Sequence, residues 1–172
     1  MLWKFLVVIL TLCTGFIPHA THIVMQEQNK YNNILINHNI PCHSQCSRIK
    51  TLPSIMHSLQ RKNISNPFEM YDLIAFRYIF YNSEDLYKFY HHVNAIQEVT
   101  YCKNYILQPK KNGYRAIHIR YKNIYNHPDS SLKYLECQLF IIKDYYDSLY
   151  GKSQYTDKQY HKLYSKTKEF DI

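Results

Sequence analysis

Apolar and polar positions change period several times along the chain, and each change marks an element. Residues 1–20 open with Lys4 and a nearly unbroken apolar run from Phe5 to Ile17. That run is shorter than the roughly 20 residues of a membrane span. It reads as a signal peptide or targeting leader, with Pro18-His19-Ala20 at the cleavage point; an uncleaved anchor and a buried N-terminal helix or strand are the alternatives. Residues 21–46 are rich in Asn and His, carry Glu27 as their single acid, show no clear period and read as a linker or transit-like segment.

The body begins at residue 47 and runs to 172. Pro53 suits the first turn of a helix, where its missing N–H costs nothing. Ile55, Met56 and Leu59 form the apolar stripe of that helix, and Arg61-Lys62 complement its C-terminal dipole. After a break at 63–67, Met70 to Phe80 is a dense β-branched and aromatic run that predicts a buried strand. Asp72 and Arg77 interrupt it, and charges in such a run need partners. Asn82-Ser83 followed by Glu84-Asp85 is a helix start, and Leu86, Phe89, Tyr90, Val93 and Ile96 recur at helical spacing.

From Ala116 to Tyr125 the pattern alternates, with Ile117, Ile119 and Tyr121 on one face and His118, Arg120 and Lys122 on the other. Leu132 to Ile142 alternates again, setting Tyr134, Glu136 and Gln138 against Leu135, Cys137 and Leu139. If the two polar faces adjoin, His118 meets Glu136. Residues 144–150 and 157–166 read as polar, Tyr-rich helices.

Composition adds a preference for anions. Lys and Arg total 21 against 13 Asp and Glu, a net charge of +8, which favours nucleotides, nucleic acids or acidic membrane surfaces. The abundance of Tyr, Lys and Asn is also what an AT-rich genome would produce. Cys42, Cys46, Cys102 and Cys137 lie beyond the leader without zinc spacing, and their disulfide state stays open. One stretch concentrates the chemistry: KNYILQPKKNGYRAIH at 103–118, with lysines and a Tyr-Arg pair around an Asn112-Gly113 turn. It reads equally as a solvated basic hairpin or as a site for a phosphorylated planar ligand. Lys50 and Ser54 at the start of the first predicted helix would suit a phosphate. Asp72 and Glu136 would hold a divalent metal beside the basic turn, the arrangement that phosphoryl transfer needs.

Four blocks then carry a resemblance: SRIKTLPSI at 47–55, YDLIAFRYIF at 71–80, KNYILQPKKNGYRAIH at 103–118 and LECQL at 135–139. In this order and spacing they resemble the synthetase domain of RelA/SpoT-type alarmone synthetases, especially the small single-domain forms. A weaker block, DYYDSLYGK at 144–152, resembles the helix that follows.

The resemblance implies an α/β (α+β) fold, a mixed sheet of about five strands flanked by helices in the nucleotidyltransferase-like manner. It implies transfer of pyrophosphate from ATP to the 3′-hydroxyl of GDP or GTP with Mg²⁺. Arg48 and Arg77 would stack on adenine, and Lys50 and Ser54 would contact the ATP phosphates. Asp72 and Glu136 would hold the metal, Glu136 also activating the acceptor hydroxyl. Lys103 and Lys110 would meet phosphates, and Asn112, Tyr114, His118 and Gln138 would line the acceptor side, Tyr114 against guanine.

Ser58, Tyr101 and Phe140-Ile141 stand where the family usually carries cations or an Arg-Thr pair. Asn104 replaces an Asp, and Tyr150-Gly151 a Glu-His pair. The alternatives are therefore an impaired nucleotide- or RNA-binding protein of the same fold, a toxin-like member acting on another nucleotide or on tRNA, and, from a different class, a secreted disulfide-linked binding protein. A homo-oligomer is compatible with each. The leader points to the secretory pathway or a plastid-type organelle, and without it the chain would be cytoplasmic.

Overall fold

The computed structural model describes residues 17–125 and 132–150. In chain order the elements are α1 (Ile17–Asn37), β1 (Ser44–Ile49), α2 (Leu52–Lys62), a 3₁₀ turn (Pro67–Glu69), β2 (Ile74–Phe80), α3 (Ser83–Ile96), β3 (Val99–Asn104), β4 (Ile117–Lys122), β5 (Tyr134–Ile141) and α4 (Ile142–Tyr150). The strands form one five-stranded sheet in the order β1-β2-β5-β4-β3. β2 and β5 are parallel at its centre, and the other pairs are antiparallel. This is the mixed α+β sheet that the resemblance implied.

Local chemistry accounts for the helix limits. Pro53 sits in the first turn of α2, and Asn63 closes it in the left-handed region at φ 52°. Asn82 caps α3 by accepting from the Asp85 amide at 2.9 Å. β2 is shorter than the apolar run predicted: residues 71–73 turn before the strand begins at Ile74. Asp72 therefore lies at the mouth of the sheet and not within a strand.

Strand alternation splits the sheet into two faces. One is dry. Phe76, Tyr78, Phe80, Leu135, Cys137, Leu139, Ile117, Ile119 and Tyr121 are buried there, and Tyr31 of α1 packs edge-on against Phe76, Tyr78 and Tyr121 at 5.5–6.4 Å between centroids. Phe89 of α3 joins at 4.8 Å from Tyr78. The other face carries Arg48, Arg77, Glu136, Gln138, His118 and Arg120, and the register aligns them across adjacent strands.

The reading of 21–46 as a linker does not hold. Residues 21–37 continue a helix, and Ala20, Ile23, Tyr31 and Ile34 are buried in the main core. The three-to-four spacing of these residues was present in the sequence, but Glu27 sits inside the stripe and masked it. Glu27 is fully buried and accepts from Lys30 (2.8 Å), Tyr125 (2.7 Å), Gln97 (2.7 Å) and Tyr121 (3.1 Å). A carboxylate so satisfied belongs to a core. Ala20, placed at the leader's cleavage point, lies within the same helix.

The rest of the leader, residues 1–16, and the predicted helix at 157–166 fall outside the described residues. No described helix is long and apolar enough to cross a membrane. Cys42, Cys46, Cys102 and Cys137 are free thiols.

Candidate active site

The polar face holds a continuous hydrogen-bonded chain. Arg77 on β2 donates from Nη2 to Gln138 Oε1 at 3.0 Å. Gln138 Nε2 donates to Glu136 Oε2 at 3.0 Å. The other Glu136 oxygen meets His118 Nδ1 at 3.1 Å, and His118 Nε2 lies 2.7 Å from the Tyr114 hydroxyl. The register explains the contacts, since Arg77 stands opposite Gln138 and Gln138 opposite His118. The meeting of His118 with Glu136 that the alternation predicted is present.

The basic loop joins this chain at Tyr114. Gly113 adopts φ 81°, a conformation that favours glycine, and its amide donates to Lys110 O at 2.8 Å. Asn112 Oδ1 accepts from the Tyr114 amide at 3.2 Å, so part of its work is to form the turn. Asn104, at the loop entrance, accepts from the amides of Ile106 and Leu107, both at 3.1 Å. Arg115 donates to Ile106 O at 3.0 Å and ties the two limbs together.

Tyr114, Ala116, Ile79 and Phe140 make a small second core under the loop. The Lys110 ammonium rests 4.6 Å over the Tyr114 ring and 4.5 Å over Tyr105. Burial holds its pKa below the usual lysine range, against the pull of Glu136. Lys103 is exposed on β3 directly opposite His118.

A second cluster occupies the mouth of the sheet. Lys50 Nζ donates to Asp72 Oδ2 at 2.5 Å, and Lys62 Nζ lies 4.0 Å from Oδ1. Burial alone would raise the Asp72 pKa, but Lys50, Lys62 and Arg48 outweigh it and hold the carboxyl below its ordinary value. Asp72 Oδ1 is buried with no hydrogen-bond partner. A hard, ionised oxygen left in that state suits Mg²⁺, which takes one or two carboxylates and completes its shell with water and substrate phosphates. Among the described residues no three His, Cys, Asp or Glu side chains converge.

Ser54 Oγ accepts from Thr51 at 3.0 Å in the first turn of α2 and joins neither cluster directly. Arg48, Arg77 and Gln138 line a cleft of about 170 Å³ together with Cys46, Ser47, Ala75 and Phe76. The Arg77 guanidinium lies 5.4 Å from the Phe140 ring centre and 5.5 Å from that of Tyr145.

Sequence reasoning passed over several residues that shape this face. Arg120 lies among Tyr71, Tyr101 and Tyr134. Lys62 and Tyr71 complete the mouth, with Lys62 Nζ 4.3 Å from the Tyr71 ring centre. Alternation along β4 already put Arg120 on the polar face. Its tyrosines come from three other segments, which only the register of the sheet brings together.

A central mixed sheet with one dry face, and one face of carboxylates, cations and aromatics, defines the class: an α+β domain of the alarmone-synthetase fold. The small alarmone synthetase 1 of Bacillus subtilis, in a structure bound to its product pppGpp, has the same fold, with a TM-score of 0.70 at 18% identity over 85% of this chain and 77% of that one. Small alarmone synthetase 2 of the same organism gives 0.68 at 25% identity, covering 85% and 78%.

A family model described as a region found in RelA / SpoT proteins matches residues 47–145, and the chain belongs to that family. A probable GTP diphosphokinase RSH3, chloroplastic, of Oryza sativa subsp. japonica is 35% identical over 78 residues, which is 44% of this chain and 11% of the rice protein.

Proposed function

We propose that the protein is a pyrophosphotransferase that moves the β,γ-pyrophosphoryl group of ATP to the 3′-hydroxyl of GDP or GTP. The observation that carries this reading is the position of Glu136. It lies at the centre of the polar face between an arginine-lined cleft and the basic loop, held by two side chains that leave its carboxylate able to accept a proton.

In the reaction the acceptor's 3′-oxygen bonds to the β-phosphorus of ATP. The bond from that phosphorus to the α,β-bridging oxygen breaks, AMP leaves, and the hydroxyl proton passes to Glu136. His118, bonded to the other side of that carboxylate and to Tyr114, keeps it aligned. Mg²⁺, held by Asp72 and Glu136, would neutralise charge on the transferring phosphates.

Arg48 and Arg77 would take adenine in the cleft they line, guanidinium planes being suited to flat bases. Lys50 and Ser54 would meet the ATP phosphates, and Lys103 and Lys110 would meet phosphates at the loop. Asn112 and Gln138 would border the acceptor. Guanine would stack on Tyr114, and Lys110, which covers that ring here, would swing off it toward a phosphate.

Incubating the full chain with radiolabelled ATP, Mg²⁺ and GDP, GTP, adenosine nucleotides or tRNA in turn tests the reading and assigns the acceptor. Labelled (p)ppGpp that disappears with Glu136→Gln supports it. No labelled product from any acceptor would sink it in favour of a nucleotide-binding protein without transfer activity. The plastid name of the rice relative agrees with a targeting leader. Fusion of residues 1–20 to a fluorescent protein would show whether that segment directs import.

A further inference from the structure

Arg120 is a cation of the polar face whose role the transfer reaction leaves open. It stands on β4 opposite Glu136 on β5 and opposite Tyr101 on β3. Its guanidinium carbon lies 3.7 Å from the ring centre of Tyr71, 5.0 Å from Tyr101 and 5.9 Å from Tyr134. Among the described residues no carboxylate pairs with it, and its Nε is buried with no hydrogen-bond partner. The neighbouring acid turns elsewhere: the oxygens of Glu136 contact His118 and Gln138.

The arrangement constrains what would satisfy it. The N–H groups of a guanidinium lie in its plane, and aromatic rings take its faces. With Tyr71 against one face at 3.7 Å, the edge is left to donate. An edge of parallel N–H donors matches the oxygens of a phosphate and not the plane of a base. A buried donor without an acceptor is costly, which argues that the acceptor arrives with a ligand.

The surroundings favour the same sign of charge. The Tyr71 ring also carries Lys62 at 4.3 Å, Lys50 bonds Asp72 in the next position along the chain, and the charge of Arg48 acts on the same carboxylate. Asp72 Oδ1, 4.0 Å from Lys62 Nζ, is the other buried atom of this mouth with no hydrogen-bond partner.

We infer that Arg120, held by Tyr71, Tyr101 and Tyr134, forms a phosphate subsite at the mouth of the polar face, taking the polyphosphate of the donor nucleotide by its guanidinium edge. The identity of that phosphate as part of ATP rests on the proposed transfer reaction, whereas the binding of a phosphate group does not.

Calorimetric titration of the full chain with inorganic pyrophosphate, and separately with ATP, tests the subsite. Arg120→Gln should weaken pyrophosphate about tenfold or more, and Arg120→Lys, which keeps the charge but not the fork, should fall between. Exchanging the facing pair, Tyr101→Arg with Arg120→Tyr, keeps a guanidinium on the same face and should recover part of the loss. Circular dichroism and thermal melting establish that each variant is folded, and Arg120→Lys is read if Arg120→Gln is not.

Wild-type protein that fails to bind pyrophosphate, or a folded Arg120→Gln that binds as tightly as wild type, overturns the subsite. The transfer assay separates the two proposals. If wild type forms product and Arg120→Gln leaves KM for ATP unchanged, the subsite falls and the transfer reading stands. If wild type forms no product while pyrophosphate binding still depends on Arg120, the transfer reading falls and the subsite stands.

Discussion

Glu27 and Glu136 are buried carboxylates on opposite faces of one sheet, and they are held in opposite ways. Glu27, on the dry face, has four donors on its two oxygens, three of them the neutral side chains of Gln97, Tyr121 and Tyr125. Nothing remains for a ligand, and the group fastens α1 to β4 and to the residues flanking β3 and β4. Glu136, on the polar face, has one contact to each oxygen, from the Gln138 amide and from the His118 imidazole. A saturated carboxylate stabilises a fold. One with two exchangeable partners, next to cations and an open cleft, is equipped to take a proton or share a metal.

Substitutions break this comparison in order of expected effect. Asp72→Asn and Glu136→Gln should each lower product formation by about a thousandfold, and Glu136→Gln should do so while moving the melting temperature little, as followed by labelled transfer and calorimetry. Full activity in Asp72→Asn would show that the mouth of the sheet is not the metal site. Glu27→Leu should do the reverse. It strands Lys30, Gln97 and two tyrosine hydroxyls, and should cost about 3 kcal/mol in urea denaturation, with activity retained by whatever fraction stays folded. A stability loss from Glu136→Gln as large as that from Glu27→Leu would erase the contrast.

The pH dependence is a smaller effect with a definite sign. The folded pKa of Asp72 is depressed, so between its folded and unfolded values the unfolded state binds the extra proton. The stabilisation is complete above the unfolded value of about 4 and is lost as pH falls through the lower folded one. Urea midpoints of wild type and Asp72→Asn, measured from pH 7 downward, should therefore converge in acid. A gap unchanged below that range would mean that the Lys50–Asp72 pair does not set the shift. The mildest change is Tyr114→Phe. It removes the hydroxyl bonded to His118 but keeps the ring, and should lower kcat only severalfold while leaving acceptor KM nearly intact.

Much of the polar face was legible because the side-chain period of a strand is two. Alternation put His118 on the polar face of β4, and Glu136 and Gln138 on that of β5, each without reference to a neighbour. Asn112-Gly113 announced its turn because glycine is the residue that takes φ 81° at no steric cost. The family blocks extended this to the fold class. β1 and β3 escaped notice because both are short and polar, and β1 lies in a segment taken for linker and helix approach. α1 was missed because its stripe contains a charge whose justification lies far away: Glu27 and Tyr121 are 94 residues apart.

The chain by itself determined which side chains share a face, where the turn falls and which chemistry the face carries, since these follow from covalent geometry and local backbone preference. The tertiary structure decided strand order and register, and through them the Arg77–Gln138–Glu136–His118–Tyr114 chain and the tyrosines around Arg120. Long-range pairing has no local signature. It is selected by burial of the dry face as a whole, and a one-residue slip of any strand would have turned its polar residues into the core.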